Sequence, residues 1–149
     1  EIEVAGEQGT LGFYTAQDDR WTLASVTPAG VARIAELATE HSADWQSLGV
    51  ALLHRLVMEN LLAATNLPKP MYVHSVAEVE AALVAGDTVG RDATGQMGQG
   101  GRFELAALVM PATVDHVQAI SEHGERMPAK STYFYPKLLS GLVIHPLES

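Results

Sequence analysis

Two short runs rich in aromatic and β-branched residues, Leu11 to Tyr14 and Trp21 to Val26, flank the polar cluster Gln17-Asp18-Asp19-Arg20 and predict a β-hairpin. Thr27-Pro28 then places a capping hydroxyl before a proline suited to the first helical turn. Val31, Ile34, Ala35 and Ala38 recur at helical spacing, predicting a helix from about Pro28 to Glu40. From Trp45 to Ala64 the chain is apolar on two stripes, Leu48/Leu52/Leu56 and Val50/Leu53/Val57/Leu61, which predicts a central buried helix. Asn66-Leu67-Pro68-Lys69-Pro70 cannot continue it, because each proline lacks an N–H and pushes its predecessor toward extended geometry. Met71 to His74 reads as a short strand. Ser75-Val76-Ala77-Glu78 has the spacing of a capping box, and Gly86 sits where that helix would end.

The twelve residues 90–101 hold five glycines and little apolar material, so a flexible loop is predicted there. Phe103 to Met110 is a strongly apolar strand. Pro111-Ala112-Thr113 leads into a helix carrying Val114, Val117 and Ile120 that stops at Gly124, and Leu142 to Ile144 reads as a last strand. The fold class is α+β in a single domain over 1–149. Its sheet, mixed or antiparallel, draws on strands near 11, 21, 71, 103 and 142, with the helix at 45–64 packed on it and two to three further helices.

Length and composition support one domain: 149 residues with 47% hydrophobic content suffice for one core and make a second improbable. Eighteen acidic against nine basic residues give a net charge of -9, which disfavours broad binding to nucleic acid or acidic membrane. The chain lacks cysteine, and no apolar run is long enough to span a bilayer, so the expected location is cytoplasmic. A first residue other than Met leads us to expect that residues upstream of Glu1 were removed.

One segment departs from the rest. In Met127-Pro128-Ala129-Lys130-Ser131-Thr132-Tyr133-Phe134-Tyr135-Pro136-Lys137, two prolines bracket one lysine, the Ser131 and Thr132 hydroxyls and three consecutive aromatics, and a second lysine follows. Arg126, Lys130 and Lys137 put three of the nine basic residues within twelve positions. This run, followed by Gly141-Leu142-Val143, resembles the C-terminal end of the domain of unknown function 1015 family of bacteria and archaea, where Met-Pro-Pro-Lys-Ser-Thr-Tyr-Phe-Tyr-Pro-Lys precedes a Gly-Leu-Val strand. The resemblance extends back through Met71-Tyr72-Val73-His74 and the helix at Leu48 to His54. The chain departs from the pattern at Ala129, where a second proline is usual, and in the long glycine-rich stretch at 90–101. The resemblance implies a C-terminal half that completes an active site with an N-terminal half. It also brings small-molecule phosphoryl transfer or nucleotide hydrolysis into view.

Gly124 to Ser131 approaches the phosphate-loop spacing, but Ala129 replaces the second glycine, Pro128 removes a donor, and Thr132 to Pro136 has strand rather than helix character. A true phosphate loop is therefore rejected. A weaker anion site remains, with Lys130 and the Ser131 and Thr132 hydroxyls as donors, Lys137 as a second cation, and Tyr133 or Tyr135 as a wall. The bland alternative is that these residues brace the loop. His74, before a capping serine, is a further candidate ligand residue. The six histidines show no ligand spacing, so neither a metal nor a named cofactor is expected.

Three readings follow. The chain completes a phosphate or carboxylate site with its own N-terminal domain and a small anionic ligand; it is a packing or homo-oligomerisation module; or Tyr133 to Tyr135 form a stacking platform for a nucleotide or single strand.

Overall fold

The polar cluster after Thr15 does fold as a turn. Asp19 takes a left-handed backbone, φ 48°, which aspartate tolerates because its short side chain bonds locally: it accepts from the Tyr14 hydroxyl at 2.8 Å, as Asp18 does from Thr15 at 3.4 Å. The computed structural model describes residues 8–64, 70–85 and 103–132. On either side of the turn, β1 (Thr10–Thr15) and β2 (Arg20–Ser25) pair antiparallel, with Tyr14 opposite Trp21. β3 (Leu105–Val109) takes the other edge of β1, also antiparallel, with Leu11 opposite Val109. The order β2-β1-β3 makes a three-stranded antiparallel sheet.

Helix α1 (Pro28–Leu37) starts as the sequence predicts, with Pro28 in its first turn and the Thr27 hydroxyl accepting from the Gly30 N–H at 3.2 Å. It stops at Leu37 rather than Glu40, because Ala38 leaves helical geometry. Two further helices follow the same capping logic. Ser75 accepts from Glu78 N–H ahead of α4 (Val76–Ala85), while the Glu78 carboxylate reaches back to His74 N–H at 2.9 Å. Thr113 caps α5 (Val114–Glu122), and the returning partner is the His116 imidazole, which accepts from the Thr113 N–H at 3.0 Å.

The central helix differs from its prediction. It begins as α2 (Ala43–Ser47), is interrupted where Leu48 turns extended (ψ 135°), and resumes as α3 (Gly49–Ala51), which runs on as a π-helix over Leu52–Leu61. Its last turn closes five residues back, from Leu62 N–H to Val57 carbonyl at 2.9 Å. The wider turn has a packing consequence. Leu48, Leu52 and Leu56, spaced by four, all stay buried in the core. The second stripe drifts outward: Val50 is buried, Leu53 and Val57 are half-buried, and Leu61 is 67% exposed. Leu53 is thus at the margin of the core, not its centre.

The core gathers Leu11 from the sheet, Ile34 from α1 and Ala38 just after it, Trp45 from α2, the Leu48/Leu52/Leu56 stripe and Ile120 from α5, with Phe13, Val109 and Met127 packed against it. Gly49 lets the helix approach the sheet closely. A Cβ there would lie 3.3 Å from the Gln8 carbonyl oxygen and 3.4 Å from Val109 Cβ. Gln8 fastens the same junction, accepting from Gly49 N–H at 2.9 Å and donating to the Pro111 carbonyl at 2.9 Å.

One strand expectation is overturned. Met71 to Val73 carry no regular structure; they alternate like a strand, but β3 occupies the free edge of β1 and no strand among the described residues pairs with them. The Leu142 to Ile144 strand, the glycine-rich stretch 90–101 and the Gly86 cap lie outside the described residues.

Candidate functional site

Between the π-helix, Tyr72 and the chain after α5 lies an open cleft of about 310 Å³. Its floor and walls are mainly apolar, from Trp45, Ala51, Tyr72, Pro128 and Ala129, with His54 and Arg55 as the polar lining.

Several local devices place these groups. Trp45 sits in the first turn of α2, where Ser42 caps by accepting from Trp45 N–H at 3.3 Å. The His41 imidazole stacks on the indole, centroids 3.8 Å apart and planes 9° from parallel. His41 Nδ1 stands 3.2 Å from Glu125, an ion pair when the imidazole is protonated, and the Ser42 N–H donates to the same carboxylate at 2.7 Å. Glu125 is delivered by the end of α5. Gly124, at φ 71°, allows a Schellman closure, with its own N–H on Ser121 carbonyl and Glu125 N–H on Ile120 carbonyl at 3.2 Å. Partial burial pushes the Glu125 carboxyl up, but the Ser42 N–H, then the hydrogen bonds from His41 and the Ser42 side chain and the charge of His41, outweigh it. The carboxyl sits below its ordinary value of 4.5.

The chain then forms a tight turn at Pro128–Ser131: Ser131 donates to the Pro128 carbonyl through its hydroxyl at 2.7 Å and through its N–H at 3.3 Å. Within it Lys130 holds a left-handed backbone, φ 63°, an arrangement that costs roughly 1–2 kcal/mol for a residue with a Cβ. No helix starts at Lys130, so the segment lacks the architecture of a phosphate loop.

The two nearby long cations differ. Arg55 is committed, donating to Glu59 at 3.1 Å, to Glu40 at 2.9 Å and to the Leu37 carbonyl at 3.1 Å. Lys130 is exposed, its ammonium 6.0 Å from the centre of the Tyr72 ring, and no carboxylate among the described residues forms an ion pair with it.

Of the residues singled out in the sequence, Lys130 is not itself a lining residue but follows Ala129, which is, and its ammonium faces the lining residue Tyr72; Ser131 is half-buried with its hydroxyl turned to Pro128, and Thr132 is exposed. His74 is exposed at the start of α4 and does not line the cleft, although Tyr72, two residues earlier, does. Tyr133, Tyr135 and Lys137 lie outside the described residues. Sequence reasoning missed Trp45, His54, Arg55 and Tyr72 as lining residues. The one available signal was the polar pair His54-Arg55 inside a largely apolar helix.

No family model, no curated protein and no solved structure matches the chain.

Proposed function

We propose that this chain supplies an anion-binding cleft whose ligand is a small molecule with an apolar or flat body and a phosphate or carboxylate end. The body lies against Tyr72, Trp45 and Pro128, and the anion meets the Lys130 ammonium at the rim. The observation that carries the reading is the difference between the two cations: Arg55 is neutralised by two carboxylates, whereas Lys130 has no anionic partner among the described residues. Backbone held in an uncommon conformation at that same lysine is consistent with placement for a ligand rather than for folding. The resemblance of Met127 to Lys137 to the domain of unknown function 1015 family adds the proposal that an N-terminal half completes the site, in an enzyme acting on small anionic molecules.

Lys130→Met tests this, since methionine keeps the length and the same backbone cost while removing the charge. With inorganic phosphate, a nucleoside monophosphate and small carboxylates titrated into the full-length protein, the variant binds about ten-fold more weakly, a difference of about 1.4 kcal/mol. Its melting temperature is unchanged. Equal affinities with a lowered melting temperature would support the second reading, that the turn is a structural brace. The inward bond from the Ser131 hydroxyl to Pro128 favours that alternative.

A further inference from the structure

Among the described residues, one edge of the sheet is bare. All six residues of β2 are exposed, whereas β3 at the opposite edge is half-buried over Ala106–Val109. Among the described residues no strand lies beside β2 on its outer side.

The hydrogen-bond phase of that edge follows from the bonds that flank the strands. Val26 N–H donates to the Gly9 carbonyl and Ala16 N–H to the Glu104 carbonyl, both at 2.8 Å. Odd positions of β1 therefore bond toward β2 and even positions toward β3. On β2, Arg20, Thr22 and Ala24 bond to β1, and Trp21, Leu23 and Ser25 direct their N–H and C=O groups outward. These three also place their side chains on the sheet face opposite Leu11 and Phe13. There the Trp21 ring lies 5.4 Å from that of Tyr14, and Trp21 and Leu23 remain 40% and 48% exposed.

Soluble proteins blunt such edges with lysine, proline or a bulge. From Trp21 to Ser25 there is no charge and no proline, and the pairing with β1 runs without a break in register. We infer that this edge pairs antiparallel with β2 of a second copy of the chain, joining the two sheets across a two-fold axis at Leu23.

Two features favour a copy of this chain over another partner. An antiparallel edge centred on Leu23 is self-complementary: Leu23 faces its own mate and Trp21 faces Ser25 of the other copy, so no like charges meet and the exposed apolar face becomes continuous across the axis. Charge also complements at the ends. In this register the acidic turn Asp18-Asp19 of one copy comes to the end of β2 from which α1 of the other starts. That helix has no acidic residue in its first turn to meet the positive end of its dipole.

A single strand pair is a small interface, so a reversible dimer in about the micromolar range is the expectation. Sedimentation equilibrium of the 149-residue chain, from about 1 to a few hundred micromolar, reads the mass directly. It should rise from 15.9 kDa toward twice that value. Leu23→Pro removes an outward N–H while sparing the bonds to β1, and should hold the mass at that of the monomer with an unchanged circular dichroism spectrum. Leu23→Lys sets a charge against its symmetry mate and should do the same without proline strain, covering the case in which the proline variant fails to fold. A monomeric mass across the whole range, or a dimer that persists in folded Leu23→Lys, overturns the inference.

Discussion

Glu125 is where single atoms carry most consequence. Its carboxylate joins the chain after α5 to the start of α2 through the Ser42 N–H and the His41 imidazole, across 84 positions of sequence, and it holds the imidazole that stacks on Trp45. A carboxyl depressed in the folded state contributes stability that is present above its unfolded value and lost as pH falls through its folded value. Glu125→Gln removes that contribution. The melting-temperature gap between wild type and Glu125→Gln should therefore be widest near neutral pH and narrow as pH falls through and below 4.5. A gap that stays constant or widens on acidification would show that the carboxylate is not held by these donors. None of this pairing was legible in the sequence, because residues so far apart in the chain leave no local pattern. The segment that contains Lys130 stood out by composition, since its prolines, hydroxyls and lysines are neighbours, but the sequence suggested an extended loop and not the tight turn at Pro128–Ser131.

At the scale of elements, the divided stripes of the central helix set the cost of truncation. Leu52→Ala should lose about 2–5 kcal/mol in denaturant unfolding, through lost burial and the cavity left behind. Leu61→Ala, on the exposed stripe, should stay within about 0.5 kcal/mol. Equal losses at the two sites would mean that the wide turn does not sort them. Beyond the helix, Ala63 is held at φ 48° without the freedom glycine has. Ala63→Gly should gain roughly 0.5–1 kcal/mol, because relief of the left-handed conformation exceeds the extra chain entropy. Start signals such as Thr27, Ser75 and Thr113 could be read directly, since a cap joins residues three apart. The break at Leu48 could not be read: nothing in Ser47-Leu48 forbids a helix, and the interruption comes with the close approach of Gly49 to Gln8 and Val109. Met71 to Val73 failed as a strand for the complementary reason, that alternation specifies a face and not a neighbour.

For the whole molecule, the α+β class and the antiparallel hairpin were visible in the chain, and the cleft was not. It is a product of three separate segments meeting, with the π-helix supplying His54 and Arg55, the residues before α4 supplying Tyr72, and the turn after α5 supplying Pro128 and Ala129. A helix that closes its rings five residues back also contains more chain than an α-helix of the same rise needs. The chain can therefore be shortened within an element that contributes to its core. Deleting Met58, beyond the buried stripe and beyond His54 and Arg55, would let the remaining turns tighten to α geometry while the packed residues before it keep their places. Such a one-residue deletion should be tolerated here, with cooperative unfolding retained, whereas the same deletion in the middle of α1 would rotate Ile34 out of register with the core.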